Sequence, residues 1–78
     1  MNDKAILDTV SDNLRVLRLQ RRITQEELAE KVNISTKYLN MIENRKANPT
    51  ILIVIKLCLA MRISLDKVWD ISLSEASD

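Results

Sequence analysis

The 78-residue sequence is distinguished first by the residue types that it lacks. It contains no His, no Gly and no Phe, and only one each of Cys, Pro, Tyr and Trp. Without His, the usual general base and the commonest metal ligand are missing, so catalysis is not expected. The lone Cys58 excludes an internal disulfide and a cysteine-based zinc site. We therefore expect neither an enzyme nor a bound metal or cofactor.

The sequence also lacks an apolar run long enough to span a bilayer, and it has no signal peptide. We therefore expect a cytoplasmic protein with no membrane association. The length predicts one domain, near the lower limit for a self-sufficient core. Hydrophobic residues make up 46% of the chain but aromatic residues only 3%, so the core must be aliphatic.

The positive charge is concentrated in one part of the chain. The net charge is only +1, yet residues 13–46 hold eight Lys or Arg against four Glu. Residues 1–12 and 63–78 are net acidic. A local basic face of this kind favours binding to the phosphates of a nucleic acid.

The segment from Thr24 to Thr50 predicts two short amphipathic helices joined by a turn. Thr24 and Glu27 have the spacing of a capping box at the start of the first helix. Asn33 tolerates the left-handed conformation needed to turn, and Ser35 can cap the second helix. This is the pattern of a helix-turn-helix, whose second helix lies in the major groove of DNA.

Apolar spacing predicts three further helices and no strand. A long helix is expected over Lys4–Arg21, a helix capped by Thr50 over Ile51–Met61, and a short helix capped by Ser64 that reaches Trp69 or Ile71. The inward stripe of the first helix consists of Ile6, Leu7, Val10, Leu14, Leu17 and Arg18. The predicted fold is thus all-α, with one domain over residues 1–71 and a frayed acidic tail over residues 72–78.

Many positions of this pattern resemble the Cro and phage-repressor type of helix-turn-helix domain, the XRE family. The similarity runs from about Leu14 to Trp69. The matching positions are Arg18, Thr24–Ala29, Ser35, Tyr38, Leu39, Ile42–Asn44, Pro49–Thr50 and Ser64–Asp66. The resemblance implies a five-helix, lambda-repressor-like DNA-binding bundle in which helices two and three form the helix-turn-helix.

Two sets of residues are expected to contact double-stranded DNA, because phosphate contacts position a protein and base contacts specify the sequence. The phosphate contacts are predicted to come from Gln25, Tyr38, Asn44, Arg45 and Lys46. The base contacts are predicted to come from Thr36, Lys37, Asn40 and Met41. Several alternatives stay open. Gln25 and the basic loop could be exposed to solvent without a DNA contact, Tyr38 could only pack against the core, and Asn40 could reach only phosphate.

Arg18 and Glu43 fall on the apolar sides of their helices, where isolated charges would be costly. In the family that the chain resembles, an Arg and a Glu at matching positions pair beneath the second motif helix. We expect the same structural ion pair here.

The absence of Gly is the main departure from that family, which often ends these helices with Gly. Arg22, Asn33, Arg45 and Arg62 stand at the corresponding turns. One interpretation is that the chain turns without a positive φ or accepts a cost of about 1 kcal/mol per Arg. The other is that Arg22 and Arg45 gain phosphate contacts in exchange.

The segment Ile51–Met61 is too apolar for a helix that is buried on one side only. If Ile51, Val54, Ile55, Cys58 and Met61 serve the core, other apolar residues remain outside it. A homodimer interface is therefore predicted from Leu52, Ile53, Leu59 and Trp69, on this helix and the 64–71 helix, with Ile6 or Leu7 as a further candidate. The alternatives are a fully buried central helix and, for Trp69, a place in the core.

The leading functional hypothesis is a transcription regulator that binds a palindromic operator as a homodimer. Its layout resembles controller proteins of restriction–modification systems, which regulate their own operon, and phage or mobile-element repressors almost as well. Contact with RNA polymerase is a further expected partnership. The alternative is a protein-interaction module, such as an antitoxin, that uses the apolar face of the 51–61 helix.

Overall fold

The computed structural model describes residues 2–70, which form four α-helices and one 3-10 helix and no strand. The elements are α1 (Asp3–Gln20), α2 (Gln25–Val32), α3 (Thr36–Glu43), α4 (Ile51–Met61) and a 3-10 helix (Leu65–Trp69). The all-α prediction is confirmed for this part of the chain, but the fifth element is a 3-10 helix and not an α-helix. Ile71 and the predicted tail over 72–78 lie outside the described residues.

Each α-helix begins at a side chain that accepts a hydrogen bond from the backbone of its first turn. The capping box of α2 is present in both directions: Glu27 N donates to Thr24 Oγ1 at 3.1 Å, and Thr24 N donates to Glu27 Oε1 at 3.1 Å. Ser35 caps α3 and Thr50 caps α4. These caps satisfy amide groups that a helix start leaves without partners, and they were predictable because they involve neighbours in sequence.

All four α-helices end in a left-handed residue without the help of Gly. Arg22, Asn33, Arg45 and Arg62 have φ of 57°, 60°, 64° and 58°. After α1, for example, the amide of Arg22 donates to Leu19 O at 3.0 Å and that of Ile23 to Arg18 O at 3.3 Å. The other three ends repeat this pair of bonds, which satisfies carbonyl groups of the last turn. The chain therefore accepts the conformational cost at three Arg residues in order to close its helices.

The core lies between all five elements and is aliphatic, as predicted. Helix α1 packs against α3 and the 3-10 helix, and α2 packs against α3 and α4. The most completely buried apolar side chains are Leu14, Leu28, Leu39, Ile42, Leu57, Met61 and Val68. Helices α2 and α3 are thus held on one side by α1 and on the other by α4.

Three residues that were predicted to lie in the core are exposed. Ile6, Ile51 and Ile55 retain 44%, 58% and 37% of their accessible surface. In α4 the buried face is formed by Val54, Leu57, Cys58 and Met61 instead. Because nearly every residue of α4 is apolar, its pattern does not indicate which face turns inward, and packing against α2 decides.

A buried Asn attaches the 3-10 helix to α1. The Asn13 amide has no exposed surface, and its Nδ2 donates to Val68 O at 2.8 Å and Asp70 O at 3.0 Å, with a longer contact to Lys67 O at 3.4 Å. The predicted cap at Ser64 is wrong, because its hydroxyl contacts the Asp66 carboxylate and caps no backbone amide. A 3-10 helix of five residues is held by α1 and needs no side-chain cap.

Within residues 2–70, no helix combines the length and the apolar character required to cross a membrane.

Candidate nucleic-acid interface

Helix α3 carries the four predicted base-contacting residues on or near its solvent side. Lys37 and Asn40 are exposed, while Thr36 and Met41 are half-buried. The helix is anchored from below by Leu39 and Ile42, which have no exposed surface. Tyr38 is half-buried and packs against the hydrophobic core, so its ring has a structural role whatever its hydroxyl contacts.

The predicted Arg18–Glu43 ion pair is present beneath α3. Arg18 Nε donates to Glu43 Oε2 at 2.8 Å, and Nη2 donates to Glu43 Oε1 at 2.9 Å. The third nitrogen, Nη1, donates to Ile23 O at 2.8 Å, which fixes the turn between α1 and α2. With side-chain exposures of 11% and 0%, this two-pronged pair is almost removed from water. It therefore joins the last residue of α3 to α1 and to the start of the helix-turn-helix.

Gln25 connects the buried Arg18–Glu43 pair to the surface residue Asn40 by hydrogen bonds. Its Nε2 donates to Glu43 Oε1 at 3.1 Å, and its Oε1 accepts a long hydrogen bond of 3.4 Å from Asn40 Nδ2. A chain of hydrogen bonds thus runs from Arg18 through Glu43 and Gln25 to Asn40. The predicted phosphate contact and one predicted base contact are therefore adjacent, and the orientation of Gln25 depends on the buried carboxylate.

The loop after α3 contains the remaining predicted phosphate contacts. Asn44 and Lys46 are exposed, and Asn44 Nδ2 donates to Asn40 O at 2.8 Å. The amide of Lys46 donates to Met41 O at 2.8 Å, which fixes the loop backbone against the helix end. Both side chains are accessible at the same end of α3.

Arg45 has partners that the sequence did not indicate. Its Nε donates to Asp12 Oδ1 at 3.0 Å and its Nη2 to Asp12 Oδ2 at 2.5 Å, while Nη1 contacts Asp8 Oδ2 at 3.5 Å. These carboxylates belong to α1, and Lys4 Nζ also donates to Asp8 at 2.8 Å. The hydrogen bond from Lys4, aided by the positive charge of Arg45, lowers the pKa of Asp8. Only the four-residue spacing of Lys4, Asp8 and Asp12 hinted at a charged stripe, and it did not identify the partner.

The predicted interface residues of α4 and the 3-10 helix differ in exposure. Leu52, Leu59 and Trp69 retain 57%, 72% and 47% of their surface, whereas Ile53 is partly buried against the core. Ile51 and Ile55 take the place of Ile53 on the exposed side. The result is an apolar stripe along one face of α4.

No group of three or more His, Cys, Asp or Glu side chains that could hold a metal ion occurs among residues 2–70.

Comparison with solved structures finds the same arrangement of helices in three bacterial proteins. The clp gene regulator ClgR from C. glutamicum superimposes with a TM-score of 0.80 at 24% identity, covering 92% of this chain and 91% of that one. An HTH_3 family transcriptional regulator from Vibrio cholerae gives 0.82 at 23% identity over 92% of this chain and 42% of that one. The hypothetical transcription factor NHTF from Neisseria gives 0.76 at 21% identity, covering 88% and 80% of the two chains. At these identities the likeness establishes the fold.

A similarity at the sequence level is found with the immunity repressor protein of Bacillus phage phi105. The two are 42% identical over 43 residues, which is 55% of this chain. The aligned part is 30% of the repressor, so the chain spans less than a third of the length of this relative.

Residues 14–68 match the helix-turn-helix family, HTH_3, and this match includes the capping box, the Arg18–Glu43 pair and all of α3. The predicted resemblance to the XRE type is confirmed. The chain belongs to the helix-turn-helix family of DNA-binding transcription regulators.

Proposed function

We propose that this chain binds a specific double-stranded DNA operator and regulates transcription as a homodimer. The proposal rests on the exposed side of α3. The buried Arg18–Glu43 pair and the buried Leu39 and Ile42 hold this helix in a fixed position. A rigid helix whose outer residues are polar and accessible meets the requirement for base recognition in the major groove.

We propose that Thr36, Lys37, Asn40 and Met41 contact base edges. Lys37 can donate to guanine, Asn40 can pair with adenine, and the methyl groups of Thr36 and Met41 can meet a thymine methyl. A Lys37→Gln variant should change which base is preferred at one operator position, at a cost of about 1–3 kcal/mol. Selection from a randomised duplex library, performed with both proteins, measures this change. If both proteins select the same sequences, Lys37 does not contact a base.

Of the five predicted phosphate contacts, four are proposed here: Gln25, Tyr38, Asn44 and Lys46. Arg45 is left out because its guanidinium contacts Asp12 and Asp8. The free amide groups at the start of α2 add to the side chain of Gln25, because the N-terminus of a helix attracts anions. A Lys46→Gln variant should weaken binding to all sequences equally and should reduce the salt slope, d log K/d log [salt], by about 0.9. Lys67→Gln is the matched control, since Lys67 is exposed on the 3-10 helix and is not assigned to the interface.

Salt dependence also tests the function as a whole. A mobility shift on non-operator duplex at increasing salt should show binding that weakens steeply. An absence of binding even at low salt would contradict a DNA-binding role.

The dimer is proposed to form through the apolar stripe of α4, with Leu52 and Leu59 at its centre and Trp69 at its margin. Twofold symmetry would present two copies of α3 to a palindromic operator with half-sites about 34 Å apart. Leu59→Glu should convert the dimer to a monomer in sedimentation equilibrium. Leu19→Glu is the matched control, because Leu19 is an exposed leucine of α1 outside this stripe. A wild-type monomer at micromolar concentration would rule out the dimer.

We propose further that the protein acts in the cytoplasm and represses or controls its own operon, as restriction–modification controllers and phage or mobile-element repressors do. Footprinting of the gene's upstream region should reveal a protected inverted repeat. Contact with RNA polymerase would follow if the operator lies beside the promoter. In domain terms, residues 1–71 would then supply both DNA binding and dimerisation.

The exposed stripe on α4 also favours a second function, a protein-interaction module of the antitoxin kind. A surface groove of about 490 Å³ lies beside Leu59. Its lining residues are Lys31, Val32, Asn33, Lys56, Leu59 and Ala60. The mobility-shift experiment distinguishes the two functions, because a transcription regulator must bind DNA at low salt and a protein-interaction module need not.

A further inference from the structure

The cluster formed by Lys4, Asp8, Asp12 and Arg45 lies at the end of α3, next to the proposed phosphate contacts. Both oxygens of Asp12 accept from the Arg45 guanidinium, and a third guanidinium nitrogen contacts Asp8. All three nitrogens of Arg45 thus face carboxylates of α1. The cluster contains two acids and two bases, so it adds no net positive charge to the interface.

The contact has the geometry with which arginine binds phosphate. Two parallel N–H groups meet two oxygens of one anion, and a DNA phosphate would present the same pair of oxygens. Asp12 therefore occupies the part of Arg45 that a phosphate would use. A carboxylate of the protein and a phosphate of the ligand are competitors for this one group.

The backbone holds Arg45 in place for this contact. Arg45 has a left-handed conformation with φ of 64°, and two backbone hydrogen bonds stabilise it. The Arg45 amide donates to Ile42 O, and the Lys46 amide donates to Met41 O. The side chain, which is still 48% exposed, then reaches back to α1. Withdrawal of Arg45 would leave Asp12 without its basic partner, while Asp8 would keep its hydrogen bond from Lys4.

We infer that Asp12, assisted by Asp8, limits the affinity of the domain for DNA of any sequence by holding Arg45 away from phosphate. This inference rests on the proposed DNA-binding function. Phosphate contacts strengthen binding to every sequence, whereas base contacts strengthen binding to the operator alone. Removal of one cation from the phosphate contacts therefore lowers the affinity for operator and non-operator DNA alike and leaves the base contacts intact.

The effect is measurable as a salt slope. Each additional neutralised phosphate steepens the slope by about 0.9, which corresponds to about a 3.5-fold larger loss of affinity between 50 and 200 mM salt. Asp12→Asn keeps the shape of the side chain but removes its charge. It should therefore release Arg45 and bind a short non-operator duplex several-fold more tightly at 50 mM salt, with the steeper slope.

The experiment compares five proteins by fluorescence anisotropy across a salt titration: wild type, Asp12→Asn, Arg45→Gln, the double variant and Asp3→Asn. Asp3 is an exposed aspartate of the same helix outside the cluster, so it controls for the loss of one negative charge. Arg45→Gln and the double variant should match the wild-type slope. Either of two results overturns the inference: an Asp12→Asn protein that binds like Asp3→Asn, or a wild-type slope that falls by about 0.9 in Arg45→Gln.

Thermal melts of all five proteins accompany the titration, and Asp8→Asn replaces Asp12→Asn if the latter does not fold. If wild type binds DNA but the aspartate variants bind no better than the control, only this inference fails. If neither wild type nor Asp12→Asn binds DNA at low salt, the proposed function fails together with it.

Discussion

Two arginines of this small domain make the same contact in different surroundings. Arg18 grips both oxygens of Glu43, and Arg45 grips both oxygens of Asp12. The first pair has side-chain exposures of 11% and 0%, the second 48% and 27%. Both lie at the C-terminal end of the helix proposed to contact bases: the first is buried beneath its last residue, and the second is exposed in the loop that follows it.

The difference in exposure separates a structural role from an electrostatic one. A buried pair gains little over an apolar pair, but loss of one partner leaves a charge without water, so it fixes the geometry of α3. An exposed pair contributes little to stability because water screens both charges. What it controls is whether the arginine is available to an outside anion.

The largest effect should follow from breaking the buried pair. Glu43→Ala leaves the Arg18 guanidinium without its carboxylate and should lower the free energy of unfolding by about 3–5 kcal/mol. Urea denaturation at a fixed protein concentration measures this, with Glu30→Ala on the exposed side of α2 as control. Equal losses in the two variants would show that the pair has no structural importance. Glu43→Gln, which retains the shape, should fall between wild type and Glu43→Ala.

Asn13 is a buried polar side chain without charge, and it can be compared with the buried Arg18–Glu43 pair. Asn13→Ala leaves the backbone oxygens of Val68 and Asp70 without this donor, and it should cost about 1–3 kcal/mol. Asn48→Ala, an identical change at an exposed site, should cost much less. The same denaturation experiment compares the two, and a smaller loss at Asn13 than at Asn48 would contradict the proposed attachment of the 3-10 helix.

The left-handed helix ends allow a sharper test of the exposed pair. Arg62→Gly removes the steric cost of a positive φ and should stabilise the fold by about 0.5–1 kcal/mol, after the greater freedom of Gly in the unfolded chain is included. Arg45→Gly relieves the same cost but loses Asp12 and Asp8, so its gain should be smaller. Thermal melts of both variants decide. A larger gain at Arg45 would mean that its ion pairs destabilise the fold.

The smallest effect on stability is expected for Asp12→Asn, at most about 1 kcal/mol. High salt should shrink that difference further, because exposed charges are screened within about 10 Å at 0.1 M ionic strength. Unfolding curves at 0.1 and 1 M salt provide the measurement. A loss as large as that of Glu43→Ala would remove the distinction between the two pairs.

The local parts of the fold could be predicted because their causes are local. Thr24, Ser35 and Thr50 each cap a helix from a neighbouring position, and Asn33 turns the chain by its own conformational tolerance. The face of α4 could not be predicted in the same way. Lys56 is the only charged residue of α4, so the sequence barely indicates which side of this helix faces the core. In the structure Ile51 and Ile55 are exposed, and Leu57 is fully buried.

In the candidate site, too, some features could be predicted from the sequence and others could not. The positions of Lys37 and Asn40 follow from the start of α3, and the Arg18–Glu43 pair follows from the family that the chain resembles. The contacts of Gln25 with Glu43, and of Arg45 with Asp12, join residues 18 and 33 positions apart. No spacing rule connects such residues before the helices have packed.

The Asn13 attachment also has a consequence for the order in which the nascent protein can fold. The acceptors of its amide lie 54 to 57 residues further along the chain. Until those residues have left the ribosome, the Asn13 side chain lacks its native acceptors. The chain between Asn13 and these acceptors must also close into a long loop. The complete helix-turn-helix therefore leaves the ribosome before the 3-10 helix can dock on α1.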